Sequence, residues 1–149
     1  MAETTTAVNA CDVRIYVDND AGTPVDVSGS SNAVTMTVNV ETGQYRVFSN
    51  RWKKSLECGK DLSLTINAVY TTADSEAKDI LANWAMATTS GARTITIYVP
   101  DKNVGSDKWS GEWRIQTFEF GADVSEPGAI PITATFISDG TISRVTNAT

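Results

Sequence analysis

β-branched side chains dominate this sequence and constrain its fold more than any other feature. Threonine, valine and isoleucine number 20, 14 and 10 among the 149 residues, whereas leucine occurs four times. Because β-branched side chains are restricted at χ1 and pack well on a pleated surface, this composition favours strands. A helical bundle of this length normally relies on leucine, so the composition argues against an all-α fold.

Strand-like alternation of apolar and polar side chains recurs along the chain. The clearest runs are residues 12–17, 33–40, 62–69, 93–99 and 132–137. A long strand is also predicted over residues 108–122, with a β-bulge at Gly111. Asp139-Gly140 is a hairpin signal that predicts a last strand returning over residues 142–146. Together with a short strand near Val25, these runs predict about eight strands.

One segment changes from strand to helical periodicity. Apolar side chains recur at helical spacing at Ala77, Ile80, Leu81, Trp84 and Ala85. This spacing predicts a single α-helix over about residues 74–88, capped from residue 72, 74 or 75 and stopped at Gly91. Because strands and helices do not alternate regularly, we predict a mainly β fold. It is a β-sandwich or barrel with one flanking helix, in a single domain spanning residues 1–149.

The charge balance and residue usage exclude several classes of function. The sequence has no histidine, which removes Ser-His-Asp and Cys-His catalysis and histidine-based zinc sites. Its net charge of −6 argues against gripping DNA through global charge, but permits nucleic acid to pass without being held. Cys11 and Cys58 are too few for a disulfide framework and are expected to be free thiols. No apolar run is long enough to span a bilayer and no secretory signal is visible, so a soluble intracellular product is expected.

Two segments fit neither periodicity. The polar, threonine-rich residues 1–10 are predicted to be a flexible arm. Residues 41–61 are predicted to be a long loop, which in a compact domain is usually functional. The sequence Arg51-Trp52-Lys53-Lys54 places an aromatic side chain among bases, as nucleic-acid-binding and protein-docking loops both do. Because the chain is acidic overall, an acidic protein partner is the favoured interpretation.

Acidic residues in a turn after the first strand raise the possibility of a metal site. Asp18, Asp20 and Asp26 offer oxygen ligands of the kind that calcium prefers. Their spacing does not match a calcium-binding EF-hand loop, and no glutamate follows where a bidentate ligand is needed. A solvated hairpin turn is therefore the favoured interpretation, with no metal.

A mixture of tryptophans and acids near residue 112 suggests two other functions. Trp109 and Trp113 would suit a carbohydrate- or receptor-binding β-sandwich. Glu112 and Glu119 would be the carboxylate pair of a small glycosidase. With strict alternation, a separation of seven residues puts these glutamates on opposite faces of one strand, which argues against the enzyme.

Several motifs follow one another in a fixed order between roughly residues 11 and 146. They are the Val-x-Ile-x-Val strand at 13–17, Gly22-Thr23-Pro24-Val25-Asp26-Val27-Ser28-Gly29, Trp52-Lys53-Lys54, Leu56-Glu57-Cys58-Gly59-Lys60-Asp61-Leu62-Ser63-Leu64-Thr65, the helix with its acidic start, Glu119-Phe120, Ile132-Thr133-Ala134-Thr135-Phe136 and Asp139-Gly140-Thr141-Ile142-Ser143-Arg144. Their order resembles that of the major tail tube proteins of long-tailed bacteriophages.

The resemblance implies a structural, non-enzymatic virion protein without catalytic residues, cofactor or metal. Such proteins form six-membered rings that stack into a tail tube, through which double-stranded DNA passes during ejection without specific binding. The implied partners are further copies of the chain, a tape measure protein and a tail terminator, with no membrane insertion. The protein would be made in the bacterial host cytoplasm and reside in the virion tail. The same fold also serves type VI secretion and gene-transfer tubes.

The resemblance also implies a role for residues 41–61, because the long loop of these proteins reaches neighbouring subunits and rings. The side chains expected to carry self-assembly are Arg46, Phe48, Arg51, Trp52, Lys53, Lys54 and Leu56. The residues that face the lumen are not assigned.

Overall fold

The computed structural model describes residues 7–89, 91–125 and 127–148 and shows a mainly β fold, which confirms the predicted fold class. The elements are a 3-10 helix (Ala10–Asp12), β1 (Arg14–Asp18), β2 (Pro24–Asp26), β3 (Ser31–Tyr45), β4 (Lys54–Val69), α1 (Ala77–Met86), β5 (Arg93–Val99), β6 (Asp107–Phe120), β7 (Pro131–Ser138) and β8 (Ser143–Thr146). The strands form one antiparallel sheet in the order β2-β1-β5-β6-β7-β4-β3, and β8 pairs with β6.

Strand β6 joins two halves of this sheet. Its first residues, 107–113, pair with β5, and 107–110 also pair with β8. Its remaining residues, 113–120, pair with β7. One half of the sheet is therefore β2-β1-β5-β6-β8, and the other is β6-β7-β4-β3. Both halves send side chains into a common core, as in a sandwich.

The core is built by alternate residues of four strands. The buried side chains on these strands are Ile15, Val17, Leu64, Ile66, Ala68, Ile95, Ile97, Ile132, Ala134 and Phe136. Their intervening neighbours are more exposed, so each strand buries one face only. This is the period of two that the sequence shows, and its cause is the removal of one face of each strand from water.

Helix α1 packs on the sheet through its apolar face. Ala77, Ile80, Leu81 and Trp84 are buried, and the rings of Trp84 and Phe136 lie 5.3 Å apart. At its start, the buried Ala77 N–H donates to Ser30 Oγ at 3.0 Å. In the described part of the chain, no helix is long and apolar enough to cross a membrane.

The predicted helix boundaries at residues 74–88 were too wide at both ends. Ser75 has a φ of +61°, in the left-handed region, so the helix cannot extend back through it. At the other end, Ala87 is already extended. Gly91, the predicted stop, lies beyond the helix, where its carbonyl accepts a hydrogen bond from Trp84 Nε1 at 2.8 Å.

The predicted bulge at Gly111 was wrong. Pairing with β5 continues without a shift through Gly111, and the irregularity in β6 lies between Ile115 and Thr117. Gly111 is required for a different reason. A Cβ there would lie 2.4 Å from Ile142 Cδ1 and 3.0 Å from the carbonyl oxygen of Thr141.

The expectation that β7 and β8 form a hairpin was also wrong. Asp139 and Gly140 do form a turn, and Gly140 has a φ of +101°. The chain then crosses to pair β8 with β6, because β7 already has β6 and β4 as neighbours. By contrast, the turn after β1 does lead to an antiparallel pair, β1 with β2.

The predicted N-terminal arm lies partly outside the described residues, since residues 1–6 are not described. Its last residue, Ala10, begins the 3-10 helix, and the Asn9 side chain accepts a hydrogen bond from the Cys11 N–H at 3.0 Å.

Candidate functional site

Strands β3 and β4 extend beyond the rest of the sheet. Strand β4 pairs with β7 only over residues 63–69, whereas its pairing with β3 continues to Tyr45 and Lys54. Residues 39–61 therefore form a two-stranded ribbon that is paired only with itself. We call this segment the ribbon and its turn, residues 46–53, the tip. An isolated two-stranded hairpin is marginally stable in water, so packing against another surface would stabilise the ribbon.

The prediction of a loop over residues 41–61 was wrong in its extent, because only the tip is without regular pairing. Strand pairing includes Glu41 with Gly59 and Gly43 with Leu56. A register shift near Cys58 interrupts the alternation, and neither face of the ribbon is buried in the core. Without a buried face, no apolar period marks these residues as strands.

The seven side chains predicted to carry assembly all lie on this projection. Arg46, Phe48, Arg51, Trp52 and Lys53 are in the tip, and Lys54 and Leu56 begin β4. Each of them is exposed, with Phe48 fully exposed and Trp52 81% exposed. The structure thus brings the seven residues together on one projection, while their role in assembly stays a prediction.

The tip is held in shape by two local hydrogen bonds. The Asn50 N–H donates to the Val47 carbonyl at 3.2 Å, and the Trp52 N–H donates to Asn50 Oδ1 at 2.9 Å. These bonds define a turn that keeps the aromatic side chains out in solvent.

Charge separates the tip from the rest of the molecule. Residues 46–54, which are the tip and the adjoining Lys54, hold four bases and no acid. The remaining residues therefore carry a net charge of −10, against −6 for the whole chain. A second copy of the chain would consequently attract the tip at long range.

Further apolar side chains on the ribbon and beside it belong to the candidate site but were not predicted as site residues. Val38, Val40, Tyr45 and Val47 are each more than 40% exposed. Val38 and Val40 continue the alternation of β3 past the end of the closed sheet. This continued alternation could have identified the surface from the sequence. Apolar side chains that extend beyond the strands that bury them indicate a surface for another chain.

The outer edge of β3 is free. Strand β3 is the last in the sheet order, and in the described chain it pairs with β4 alone. Its 15 residues present unpaired backbone donors and acceptors along one side. Such a long edge is a ready template for a strand from another chain.

Hydroxyl and amide side chains cover one solvent-exposed face of the sheet. This face is formed by β3, β4, β7 and the second half of β6, and we call it the hydroxyl face. Its members are Thr35, Thr37, Asn39, Ser63, Thr65, Asn67, Thr117, Thr133 and Thr135. The hydroxyls of Thr117 and Thr135 hydrogen-bond to each other, and Thr133 donates to Asn67 Oδ1 at 3.0 Å. At the margin of this face, Arg114 is neutralised by an ion pair with Asp139 at 3.3 Å.

The tryptophans considered for carbohydrate binding do not form a stacking platform. Trp113 is only 1% exposed and belongs to the core, and Trp109 is half-buried against it. The carbohydrate-binding alternative thereby loses the aromatic surface on which it rested.

The predicted placement of Glu112 and Glu119 on opposite faces was wrong. The register shift between Ile115 and Thr117 adds one residue, so both glutamates share the solvent face. They remain roughly 20 Å apart along the strand. A catalytic carboxylate pair needs a separation of at most about 10 Å, so the glycosidase interpretation fails on distance.

Asp18, Asp20 and Asp26 are placed as a hairpin turn requires. The intervening Asn19 side chain accepts hydrogen bonds from the Ala21 and Thr23 N–H groups, each at 3.0 Å. Among the residues that the structure describes, no group of three or more His, Cys, Asp or Glu side chains is arranged to hold a metal ion.

Sequence comparisons find no matching family model and no matching curated protein. Comparison of the fold does find matches among solved structures. A chain of the native gene transfer agent virion matches with a TM-score of 0.74 and 16% identity, over 94% of this chain and 100% of that chain. The SPP1 tail tube matches with a TM-score of 0.76 and 12% identity, over 96% and 81%.

A third match is a chain of the anti-feeding prophage baseplate, with a TM-score of 0.77 and 12% identity over 97% of this chain and 98% of that chain. These three structures come from a virion, a tail tube and a prophage baseplate, and each is matched over nearly the whole of this chain. The chain therefore has the fold of tail tube proteins.

Proposed function

We propose that the chain is a non-enzymatic structural subunit of a phage-type tail. Six copies form a ring, and rings stack into a hollow tube through which double-stranded DNA passes during ejection. The fold supports this proposal, since the gene transfer agent tail that it matches has C6 symmetry. The protein would be synthesised in the bacterial host cytoplasm and reside in the tail of the particle.

The observation that carries the proposal is the ribbon together with the free edge of β3. In the described chain, both lack the partners that their backbone and apolar groups require. A head-to-tail ring supplies such partners, because each copy offers one surface and accepts another. Pairing sheets edge to edge around the ring would also remove the exposed edges that an isolated sandwich must protect.

The hydroxyl face is the surface that we assign to the passage of DNA. Neutral hydroxyl and amide groups give phosphates no cation to bind, and nearby Glu41, Asp61 and Glu119 repel them. DNA would slide past such a wall without being held. Two lysines placed there, Thr65→Lys and Thr135→Lys, should slow DNA release from otherwise normal particles. Unchanged release would contradict the assignment of this face.

Other tail proteins are the expected further partners. A tube needs a protein that ends it, and the fold also matches chains of the anti-feeding prophage tube cap and of a sheath/tube terminator. We propose a tail terminator as one partner and a tape measure protein inside the growing tube as another. DNA in transit makes no specific contact in this scheme.

Electron microscopy tests the proposal directly. Negative staining of concentrated purified protein should show rings with a central hole and tubes built from them. A protein that stays a monodisperse monomer at all salt and protein concentrations, and does not enter a tail, would contradict the proposal.

A triple substitution tests the role of the tip. Changing Trp52 to Ala and both Lys53 and Lys54 to Glu removes the exposed aromatic group and reverses two charges. Tube growth should fail while the circular dichroism of the monomer stays unchanged, because these side chains do not contact the core. The matched control replaces the same residues by Phe, Arg and Arg and should form tubes. Tubes of normal length from the first variant would exclude the proposed role.

A further inference from the structure

An apolar cleft lies between the two halves of the sandwich. It has a volume of about 230 Å³. Its lining consists of Val34, Met36 and Val38 from β3, Ile97 and Val99 from β5, and Trp109 from β6. At the end near Val34 and Val99 it opens into a wider depression beside the start of β1.

The cleft exists because no backbone pairing joins its walls. Strand β5 pairs with β1 and β6, whereas β3 is the edge strand of the other half. The walls are therefore held only by side-chain packing, and Val38 at one end of the lining is 50% exposed. Exposed apolar walls of this kind are stabilised when another apolar group displaces the water between them.

The chain cannot fill the cleft with its own tip. The β3–β4 pairing runs from the cleft to Tyr45 with one register shift, between Glu41 and Thr42, and this pairing keeps the ribbon extended. Tyr45 lies seven positions beyond Val38 along the strand, so the tip lies roughly 25 Å from the cleft. Helix α1 packs elsewhere, against β4 and β6. Within the part of the chain that the structure describes, neither the tip nor the helix reaches the cleft, so we consider another molecule as its occupant.

We infer that Phe48 and Trp52 at the tip of one copy fill the apolar cleft of a second copy. The inference rests on the proposed self-assembly and identifies the surface that receives the tip. The two partners complement each other, since exposed aromatic side chains meet an apolar cleft, and the basic tip meets a chain whose residues outside 46–54 carry a net charge of −10. Aromatic side chains inserted in pockets are the typical anchors of protein interfaces.

Disulfide trapping between two populations tests this contact. Both populations carry Cys11→Ser and Cys58→Ser, which removes the two exposed thiols. One also carries Ser49→Cys, which puts a thiol in the tip without removing either aromatic side chain. The other carries Val38→Cys in the cleft or, as matched control, Thr37→Cys on the opposite face of the same strand.

After mixing, assembly and mild oxidation, non-reducing electrophoresis measures the linked pair of copies. The Val38→Cys mixture should give about tenfold more linked pair than the Thr37→Cys mixture, because only residue 38 faces the docked tip. Tubes that form with equal or no linkage in the two mixtures would overturn the docking and leave the proposed tube intact. A parent chain that forms no tubes would overturn the tube itself.

A second pair of variants keeps the inference testable if the thiols disturb assembly. Val38→Asp puts a charge into the cleft, and Thr37→Asp puts the same charge on the opposite face. Because loss of an interface anchor weakens association strongly, Val38→Asp should raise the critical concentration for assembly about tenfold or more relative to Thr37→Asp. Equal critical concentrations would overturn the inference.

Discussion

The two halves of strand β4 lie in opposite environments. Residues 63–69 are flanked by β3 and β7, and Leu64, Ile66 and Ala68 are at most 1% exposed. Residues 54–61 belong to the ribbon, where all but the half-exposed Gly59 are exposed. One continuous strand thus passes from the core of the sandwich into solvent.

The contrast separates stability from assembly. Residues of the body, by which we mean the sandwich outside the ribbon, remove apolar surface from water when the single chain folds, so their substitution should change the free energy of unfolding. Residues of the ribbon bury little in the single chain, so their substitution should change association instead. Substituting a residue of the body and a chemically matched residue of the ribbon should therefore give different effects.

The largest effect is expected for a buried phenylalanine. Phe136 is fully buried against Trp84, and its replacement by alanine leaves a cavity in the core. Phe136→Ala should lower the free energy of unfolding by about 3–5 kcal/mol, measured by urea denaturation of dilute protein. Phe48→Ala in the tip should change it by less than about 0.5 kcal/mol. Similar losses in both variants would show that the tip is part of the monomer core.

A glycine pair should give the next largest effect. The Cβ of Gly111→Ala would meet both the side chain and the backbone of Ile142, so this side chain must move and the backbone just before β8 must shift by a few tenths of an ångström. We expect a loss of about 1–3 kcal/mol in the same assay. Gly43→Ala in the ribbon should be tolerated, because its Cβ would meet only Cys58 Sγ at an ordinary 3.5 Å. A Gly111→Ala protein as stable as the parent would show that Thr141 and Ile142 do not pack closely on β6.

The body and the ribbon also differ in how far the sequence predicts them. Residues 62–69 and 132–137 show a clear period of two because each strand buries one face. Strand β7 was predicted close to its observed bounds, and the end of β4 was predicted correctly. The ribbon has no buried face, and its strands were missed. The shift between Ile115 and Thr117 was missed as well, since no glycine or proline marks it, and with it the shared face of Glu112 and Glu119.

The candidate site was predicted as a set of residues and not as a surface. The bases and aromatic side chains of the tip stand out in the sequence because they lie together between Arg46 and Lys54. The residues of the cleft do not stand out in the sequence. Val34 and Val99, for example, belong to strands that are brought together only because the sheet folds over at β6. Residues brought together by such long-range packing carry no local pattern in the sequence.

The smallest effect is expected for a carboxylate at the margin of the body. Burial, and then the negative charge of Glu112, raises the pKa of Asp18 above its ordinary value of 3.8. The folded protein therefore holds this proton more tightly than the unfolded chain. Stability is lost as the pH rises from 3.8 through the raised native pKa, and the loss persists at neutral pH.

Asp18→Asn removes the destabilisation that comes from ionising Asp18, so at pH 7 it should raise the urea midpoint slightly. Below about pH 4 the urea midpoints of the variant and the parent chain should become equal. The gain is small because solvent screens a carboxylate that is only partly buried. Asp61→Asn, which removes a carboxylate from the exposed ribbon, is the matched control and should leave the midpoint at pH 7 close to that of the parent chain. A urea midpoint of Asp18→Asn at or below the parent value at pH 7 would contradict this prediction. It would mean that the hydrogen bonds between Asp18 and Thr94 stabilise the carboxylate by more than desolvation destabilises it.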